Sequence, residues 1–111
     1  MPGTFVLDHA KNGKYKFNLR ASNHQVVLTS EIYESKVAAE KGIESVRKNA
    51  IDDVRFTRKK AKDGHTYFVL TSLNGETVGK SEMYSRPSSM EKGILSVRTN
   101  APKAKLVDMT R

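Results

Sequence analysis

An internal duplication constrains this chain more than any other feature of its sequence. The segment EKGIESVRKNA at positions 40–50 returns 51 residues later as EKGILSVRTNA at positions 91–101. Over the longer windows 5–50 and 56–101, 20 of 46 positions are identical without a gap. Identity at a fixed spacing of this kind predicts two copies of one structural unit.

The size of each copy favours one domain over two. A unit of about 50 residues buries too little surface to be comfortably stable alone, so two copies that share a core are the easier solution. No linker rich in Pro, Gly or Ser separates the copies. We therefore expect residues 1–111 to form a single compact domain. The first repeat would span about 4–53 and the second about 54–111, giving a monomer built as an intramolecular pseudo-dimer.

Hydrophobic periodicity predicts three strands and one helix in each copy. Alternation marks strands near 4–9, 14–20 and 26–30 of the first copy, with hairpin turns at Asn12-Gly13 and, in the second copy, at Asp63-Gly64. The first helix is expected at 36–48. Its apolar stripe and the matching stripe of the second helix are Ala39, Ile43, Val46, Ala50 and Met90, Ile94, Val97, Ala101.

These elements give an α+β fold class of tandem β-β-β-α repeats, with antiparallel sheet or sheets packed by two helices. The arrangement is pseudo-two-fold symmetric and ends in a C-terminal strand. We expect residues 53–59 to act as the return strand of the first copy and the opening strand of the second. Residues 105–109 would be the counterpart at the end of the chain.

The helix ends carry recognisable signals. Ser35 is placed to cap the first helix, and Pro87 is tolerated in the first turn of the second. Asn49 and Asn100 are expected to end the helices in the left-handed conformation. Gly42 lies in the interior of the first helix, where glycine is unfavourable, and this predicts close packing against a strand or the other helix.

The net charge of +8 is unevenly placed, because residues 1–53 hold eight basic and seven acidic groups and residues 54–111 hold twelve and five. Part of the excess is a basic cluster that would attract polyanions such as nucleic acids. Phe56, Tyr67 and Phe68 lie near it and suggest a stacking surface, although Phe56 and Phe68 also fit the core and the charge also serves solubility. The basic cluster consists of Arg55, Arg58, Lys59, Lys60 and Lys62.

Several function classes lack support in the sequence. It has no cysteine, and no apolar run of about 18 residues that would span a membrane. We expect a cytoplasmic protein without membrane contact, since the N-terminus lacks the pattern of a signal peptide. His9, His24 and His65 fall near turns without ligand-spaced neighbours. We therefore expect no metal, cofactor or catalytic residue.

Two motifs recur at the same register in both copies: Ser-Glu-x-Tyr at 30–33 and 81–84, and Gly-Ile-x-Ser-Val-x-x-Asn at 42–49 and 93–100. With these motifs, over nearly its whole length, the sequence resembles the YegP-like family of small bacterial proteins. The resemblance implies a tandem-repeat α+β fold and no established activity, substrate or cofactor. In the second copy, Thr66, Val69 and Pro87 replace Tyr15, Asn18 and Lys36, so the two copies need not carry equivalent sites.

Polar residues kept in both copies allow a structural and a functional interpretation. Structurally, the serines and glutamates at strand ends would bond helix-terminus amides, and the asparagines would cap helices. Functionally, Tyr33 and Arg47 with their counterparts Tyr84 and Arg98 would line a shared groove that pairs a guanidinium with a carboxylate or phosphate. The pairs are Ser30/Ser81, Glu31/Glu82, Tyr33/Tyr84, Glu40/Glu91, Lys41/Lys92, Ser45/Ser96, Arg47/Arg98 and Asn49/Asn100.

Three functions follow from the sequence, in order of preference. The first is a small non-enzymatic binding or interaction protein whose partner is an unknown protein or small anionic ligand. The second is nucleic-acid or polyanion binding by the basic face of the second repeat. The third is an enzyme acting on an anionic small molecule.

Overall fold

The strands and helices lie where the sequence predicts them. A computed structural model describes residues 3–111, so the first two residues of the predicted domain lie outside the described part. The elements are β1 (Thr4–His9), β2 (Tyr15–Arg20), β3 (Val26–Ser30), α1 (Lys36–Asn49), β4 (Phe56–Lys60), β5 (Thr66–Thr71), β6 (Thr77–Lys80), α2 (Pro87–Asn100) and β7 (Lys105–Asp108).

The strands form one seven-stranded sheet in the order β4-β5-β6-β3-β2-β1-β7. Each repeat contributes an antiparallel meander, and the two meanders meet where β3 pairs antiparallel with β6 through Thr29 with Lys80 and Ser30 with Gly79. The order of the first six strands is therefore mirrored about this junction. The predicted α+β tandem-repeat fold with a C-terminal strand is confirmed.

The ends of the two repeats differ from the prediction. Residues 53–55 form a short 3-10 turn, and β4 then pairs with β5 of the second repeat and with no strand of the first. Residues 56–60 therefore open the second repeat, as expected, but the expected role as the return strand of the first repeat was wrong. β7 crosses to the other side of the sheet and pairs in parallel with β1. Residues 56–60 belong to the second repeat as β4, whereas β7 follows the last helix and pairs with the outer edge of β1.

Both helices pack on one face of the sheet and cross strands of both repeats. α1 contacts β1, β2, β5 and β6, while α2 contacts β3 and β5. The predicted helical stripes are buried, with Ile43, Val46, Ile94 and Val97 at most 2% exposed. Side chains from the two repeats thus belong to one hydrophobic cluster, as burial of apolar surface requires in a chain of this size.

The helix ends confirm part of the prediction. The Oγ of Ser35 accepts the Ala38 N–H at 3.1 Å, and Pro87 lies in the first turn of α2. The left-handed conformation expected at Asn49 and Asn100 was wrong, because both residues are helical. The side-chain amide of Asn49 donates to the Ser45 carbonyl at 2.8 Å, and that of Asn100 donates to the Ser96 carbonyl at 2.7 Å. The asparagines therefore bond one helical turn back instead of reversing the chain.

The strand-end serines that both repeats carry bridge neighbouring strands. The Oγ of Ser30 accepts the Phe17 N–H at 2.9 Å, and the Oγ of Ser81 accepts the Phe68 N–H at 2.9 Å. Each hydroxyl also donates to the carbonyl of the following glutamate. The expected bonds to helix-terminus amides were wrong, because these buried hydroxyls satisfy strand amides instead.

Gly42 is closely packed, as predicted, but against an aromatic ring and not against a strand backbone or the other helix. A Cβ at this position would overlap the Tyr33 hydroxyl, lie 2.7 Å from Tyr33 Cζ and lie 3.0 Å from Phe17 Cε2. Gly93 has the same relation to Tyr84 in the second repeat. The absence of a side chain at each glycine therefore allows the tyrosine ring to pack against the helix.

We expect Gly42→Ala to destabilise the protein by about 1–3 kcal/mol, the usual cost of overpacking. The sign is informative, because helix propensity alone would make alanine more stable by about 1 kcal/mol. Urea denaturation measures the difference. In the Tyr33→Ala background most of this cost should disappear, because only the contact with Phe17 Cε2 at 3.0 Å remains. A wild-type-like or raised stability for Gly42→Ala alone would contradict the packing.

Candidate binding groove and basic edge

A groove of about 1060 Å³ lies between α1 and the turn that joins β5 to β6. One wall comes from the first repeat and the other from the second, so the groove exists only because the two repeats share a sheet. It is called the α1 groove here. Its lining residues are Glu31, Tyr33, Val37, Ala38, Glu40, Lys41, Gly42, Glu44, Ser45, Lys48, Asn49, Ile51, Asp52, Arg55, Ser72, Leu73, Asn74, Glu76, Thr77 and Val78.

Three large apolar side chains line the α1 groove while exposed to solvent: Val37 at 60%, Ile51 at 63% and Leu73 at 81%. Their counterparts in the other repeat, by the 51-residue register, are Ser88, Pro102 and Ser22. The fold therefore does not require an apolar residue at the positions of Val37 and Leu73, where the counterpart is serine. Exposed apolar side chains grouped on one surface are typical of binding sites.

The rim of the α1 groove is acidic in a chain whose net charge is +8. Five carboxylates and three cationic side chains line it. Glu44 pairs with Arg47 at 3.1 Å, and Asp52 lies 3.9 Å from Arg55. Within residues 3–111, Glu31, Glu40 and Glu76 have no cationic group within 4.0 Å. These three carboxylates are therefore available to a cation from outside.

Tyr33 sits at the acidic end of the groove. Its backbone exchanges two hydrogen bonds with Tyr15, at 2.9 and 2.8 Å, and its ring stacks on Phe17 with the centroids 6.0 Å apart. Burial raises the pKa of the Tyr33 phenol, and the charges of Glu31 and Glu76 raise it further. The phenol therefore stays protonated and offers an O–H at neutral pH.

The tyrosine of the second repeat has a different electrostatic setting. Burial and the charge of Glu82 raise the pKa of Tyr84. The counterpart of Glu76 is Gln25, which carries no charge. The second repeat also places exposed Leu95 and Leu106 where the first has Glu44 and Arg55. The two surfaces are thus related in backbone and different in chemistry.

The repeat-related arginines are held differently. Arg47 Nη1 donates to the carbonyls of Ala104 at 2.7 Å and Ala101 at 3.3 Å, and its guanidinium lies 4.9 Å from the centre of the Phe5 ring. Arg98 has an Asp53 carboxylate oxygen at 3.8 Å. Arg47 therefore fixes the segment that leads into β7, whereas Arg98 makes a longer surface contact.

The four residues predicted to share a groove are not brought together at the α1 groove. Tyr33 lines it, while Arg47, Tyr84 and Arg98 do not. The shared groove stays a prediction of the sequence. Residues that the sequence did not single out, above all Leu73 and Glu76, face α1 across the groove, and their chemical difference from Ser22 and Gln25 was the available signal.

The basic cluster divides into engaged and free groups. Arg58 donates to both carboxylate oxygens of Glu91, at 2.7 and 2.9 Å, and to Asp53 at 3.0 Å. These bonds raise the pKa of the Arg58 guanidinium and lower the pKa of both carboxyl groups. In the described chain, by contrast, the ammonium groups with no carboxylate within 4.0 Å include those of Lys59, Lys60 and Lys62.

The aromatic residues near the cluster offer little stacking surface. Phe56 and Phe68 are buried, at 4% and 0% exposure. Lys80 lies over the Tyr67 ring, 4.9 Å from its centre. Most of the aromatic surface that the sequence suggested for base stacking is therefore in use within the protein.

The part of the chain that the structure describes carries neither a metal-ligand cluster nor a membrane-spanning helix. No group of three or more His, Cys, Asp or Glu side chains there could hold a metal ion. None of the helices in residues 3–111 is long and apolar enough to cross a bilayer.

Comparisons with known proteins all lead to one family. The domain of unknown function DUF1508 matches twice, at residues 10–56 and 61–108. The UPF0339 protein of Bordetella pertussis is 51% identical over 111 residues, covering 100% of this chain and 99% of that protein. The UPF0339 protein YegP of Escherichia coli is 41% identical over 110 residues, covering 99% and 100%.

Solved structures agree. The solution NMR structure of YegP from E. coli, a protein of unknown function, matches with a TM-score of 0.94 at 41% identity, covering 99% of this chain and 95% of that one. The NMR structure of the UPF0339 protein from Shewanella oneidensis matches with a TM-score of 0.93 at 38% identity, covering 99% and 93%.

We expect the two arginines to differ in their effect on stability. Arg47→Ala leaves two carbonyls without their donor and should cost about 2 kcal/mol, the range for hydrogen bonds to charged groups. Arg98→Ala loses one long surface ion pair and should cost less than about 1 kcal/mol. Urea denaturation of both variants checks this. Equal losses would contradict the different contacts.

Proposed function

Because this chain belongs to the DUF1508 family, whose domain has no established function, we propose a function from its own surface: it is a small non-enzymatic protein that binds a peptide segment in the α1 groove. The observation that carries the proposal is the exposed apolar group Val37, Ile51 and Leu73, at positions where the other repeat has serine or proline. We place this function in the cytoplasm, in a monomeric protein.

Size and shape support a peptide as the occupant. Pockets for small molecules typically measure about 300–1,000 Å³ and enclose most of the ligand. The α1 groove, at about 1060 Å³, runs along the length of α1 and lies open to solvent. An extended or helical segment that lays apolar side chains into an open groove is a common mode of peptide recognition.

Charge supports a segment that carries lysine or arginine beside its apolar residues. Glu31 and Glu76 lie near the Tyr33 phenol at one end of the groove, and both influence its pKa. A cationic side chain placed there would gain two carboxylates that have no cationic partner within residues 3–111, together with the tyrosine hydroxyl. An anionic ligand would instead meet five carboxylates against three cationic side chains, so the acidic rim gives an enzyme on an anionic substrate the least support.

Nucleic-acid binding remains the second candidate. Lys59, Lys60 and Lys62 support it, because they are exposed and have no carboxylate within 4.0 Å in the described structure. Two contacts weigh against it: Arg58 is engaged by Glu91, and Lys80 covers Tyr67. A peptide-binding protein therefore has the better support.

The test is an amide chemical-shift titration with a capped peptide that alternates leucine and lysine, and with the same peptide carrying glutamate for lysine. The lysine peptide should shift signals at Tyr33, Val37 and Leu73, since it fits both the apolar surface and the acidic rim. Leu73→Ser should weaken this binding roughly tenfold, the effect typical of a central apolar contact. The serine is the residue that the other repeat has at this position, so the fold should tolerate it.

Leu95→Ser is the matched control, because Leu95 is equally apolar, 60% exposed and outside the groove. It should bind the lysine peptide as the wild type does. The proposal fails if the lysine peptide shifts no groove signals, or if the two serine variants weaken binding equally.

A further inference from the structure

The two edges of the sheet are not equivalent. The outer edge of β1 is covered by β7, which pairs in parallel from Thr4 with Lys105 to Leu7 with Asp108. The corresponding strand of the second repeat is β4, which pairs with β5 on one side. On its other side no strand from residues 3–111 is present. One end of the sheet thus has a seventh strand that the other end lacks.

We propose that the open edge of β4 receives a parallel β-strand from an acidic partner protein, in the place that β7 takes beside β1. Strand addition of this kind binds through main-chain hydrogen bonds, and alternate side chains of the added strand provide specificity. It is independent of the α1 groove.

Contacts of β7 show which backbone groups would take part. Lys105 N–H donates to the Gly3 carbonyl at 3.3 Å, and Met109 N–H donates to the Leu7 carbonyl at 2.8 Å. The 51-residue register relates Leu7 to Arg58. In an antiparallel pair the N–H and C=O of a residue point to the same side, and alternate residues share that side. The backbone groups of Phe56, Arg58 and Lys60 therefore lie on the side of the open edge. The Phe56 N–H already donates to the Asp53 carbonyl, so the open groups are the Phe56 carbonyl and the N–H and C=O of Arg58 and Lys60.

The Phe56 carbonyl at the open edge has only a weak hydrogen-bond donor within residues 3–111. It accepts the Arg58 Nη1 of its own strand at 3.4 Å, which is long for a hydrogen bond. A strand amide at ordinary distance would be a better donor. The Arg58 side chain also has Glu91 and Asp53 as stronger partners, so it can release this carbonyl.

Charge selects the partner. Residues 57–60 of β4 are all exposed, and Lys59, Lys60 and Lys62 lack a carboxylate within 4.0 Å in the described part of the chain. Pairing of two β4 edges from separate copies would place lysines opposite one another, which is unfavourable. Lysines also protect an edge from indiscriminate strand addition. A strand rich in aspartate or glutamate satisfies the ammonium groups and is favoured over a second copy of this chain.

The probe is a capped peptide that alternates valine and glutamate, titrated into labelled protein at near-physiological salt. We expect saturable shifts at residues 56–60 and slower amide exchange at Arg58 and Lys60. The same peptide with N-methylated amides on its pairing side keeps its charge and loses its donors. It should bind about tenfold more weakly, because each lost bond leaves a polar group unpaired. Equal binding of the two peptides would overturn strand addition in favour of charge attraction alone.

A pair of variants separates the backbone from the charge. Lys60→Pro removes an amide donor that faces the open edge, and proline is tolerated on the outer side of an edge strand. Lys60→Gln removes the charge and keeps the donor. We expect Lys60→Pro to lose roughly tenfold in affinity for the acidic peptide and Lys60→Gln roughly threefold or less. Leu73→Ser changes the α1 groove and should leave the affinity of β4 for the acidic peptide unchanged.

Oligothymidylate, titrated in the same way, tests whether the basic cluster binds nucleic acid instead. Binding that exceeds that of the acidic peptide, without slower amide exchange in β4, would overturn the proposal and assign the basic cluster to nucleic acid. Weaker binding that falls steeply with salt is the expected result, because such attraction depends on counterion release.

Discussion

The structure depends on the short junction between β3 and β6, where the two repeats become one sheet. Only the pairs Thr29 with Lys80 and Ser30 with Gly79 are in register there. At this place Leu28 and Gly79 are counterparts in the 51-residue repeat. A Cβ on Gly79 would lie 2.7 Å from Leu28 Cγ and 2.8 Å from Leu28 Cδ2. Leucine therefore fills, from one side of the junction, the space that glycine leaves on the other.

This complementarity explains how a duplicated unit produces an asymmetric molecule. Residues that both repeats keep make the same local contacts twice: Ser30 and Ser81 bridge strands, Asn49 and Asn100 bond within helices, and Gly42 and Gly93 receive a tyrosine ring. The surfaces proposed for binding combine such residues with others that the repeats do not keep. The α1 groove has Leu73 where the other repeat has Ser22. Likewise β7 covers one sheet edge and leaves the other open.

Much of the fold could be predicted from the sequence because its signals are local. Alternation, a helical stripe and the cap at Ser35 each need only a few neighbouring residues, and they placed the strands and helices closely. The helix ends at Asn49 and Asn100 were wrong, because an asparagine that reverses the chain and one that bonds one turn back look alike in sequence.

The contacts that the sequence could not reveal join distant segments. Arg58 bonds to Glu91, which lies 33 positions away in the sequence. The sequence therefore could not show which of the five clustered basic residues are already paired with a carboxylate. The groove requires α1 to lie beside the β5–β6 turn, and no local pattern predicts that arrangement. The parallel pairing of β7 with β1 joins the two ends of the chain, Thr4 with Lys105, and no local pattern predicts it.

Exchanging the two side chains at the junction tests this account most directly. Gly79→Leu should destabilise the protein through overlap with Leu28, and Leu28→Gly should destabilise it by opening a cavity. The double variant Leu28→Gly/Gly79→Leu again has one leucine and one glycine at the junction, with the leucine now on β6 and the glycine on β3. Urea denaturation of all four proteins should give a favourable coupling of at least about 1 kcal/mol, within the range for side chains in contact. Additive losses in the double variant would contradict a junction held by this complementarity.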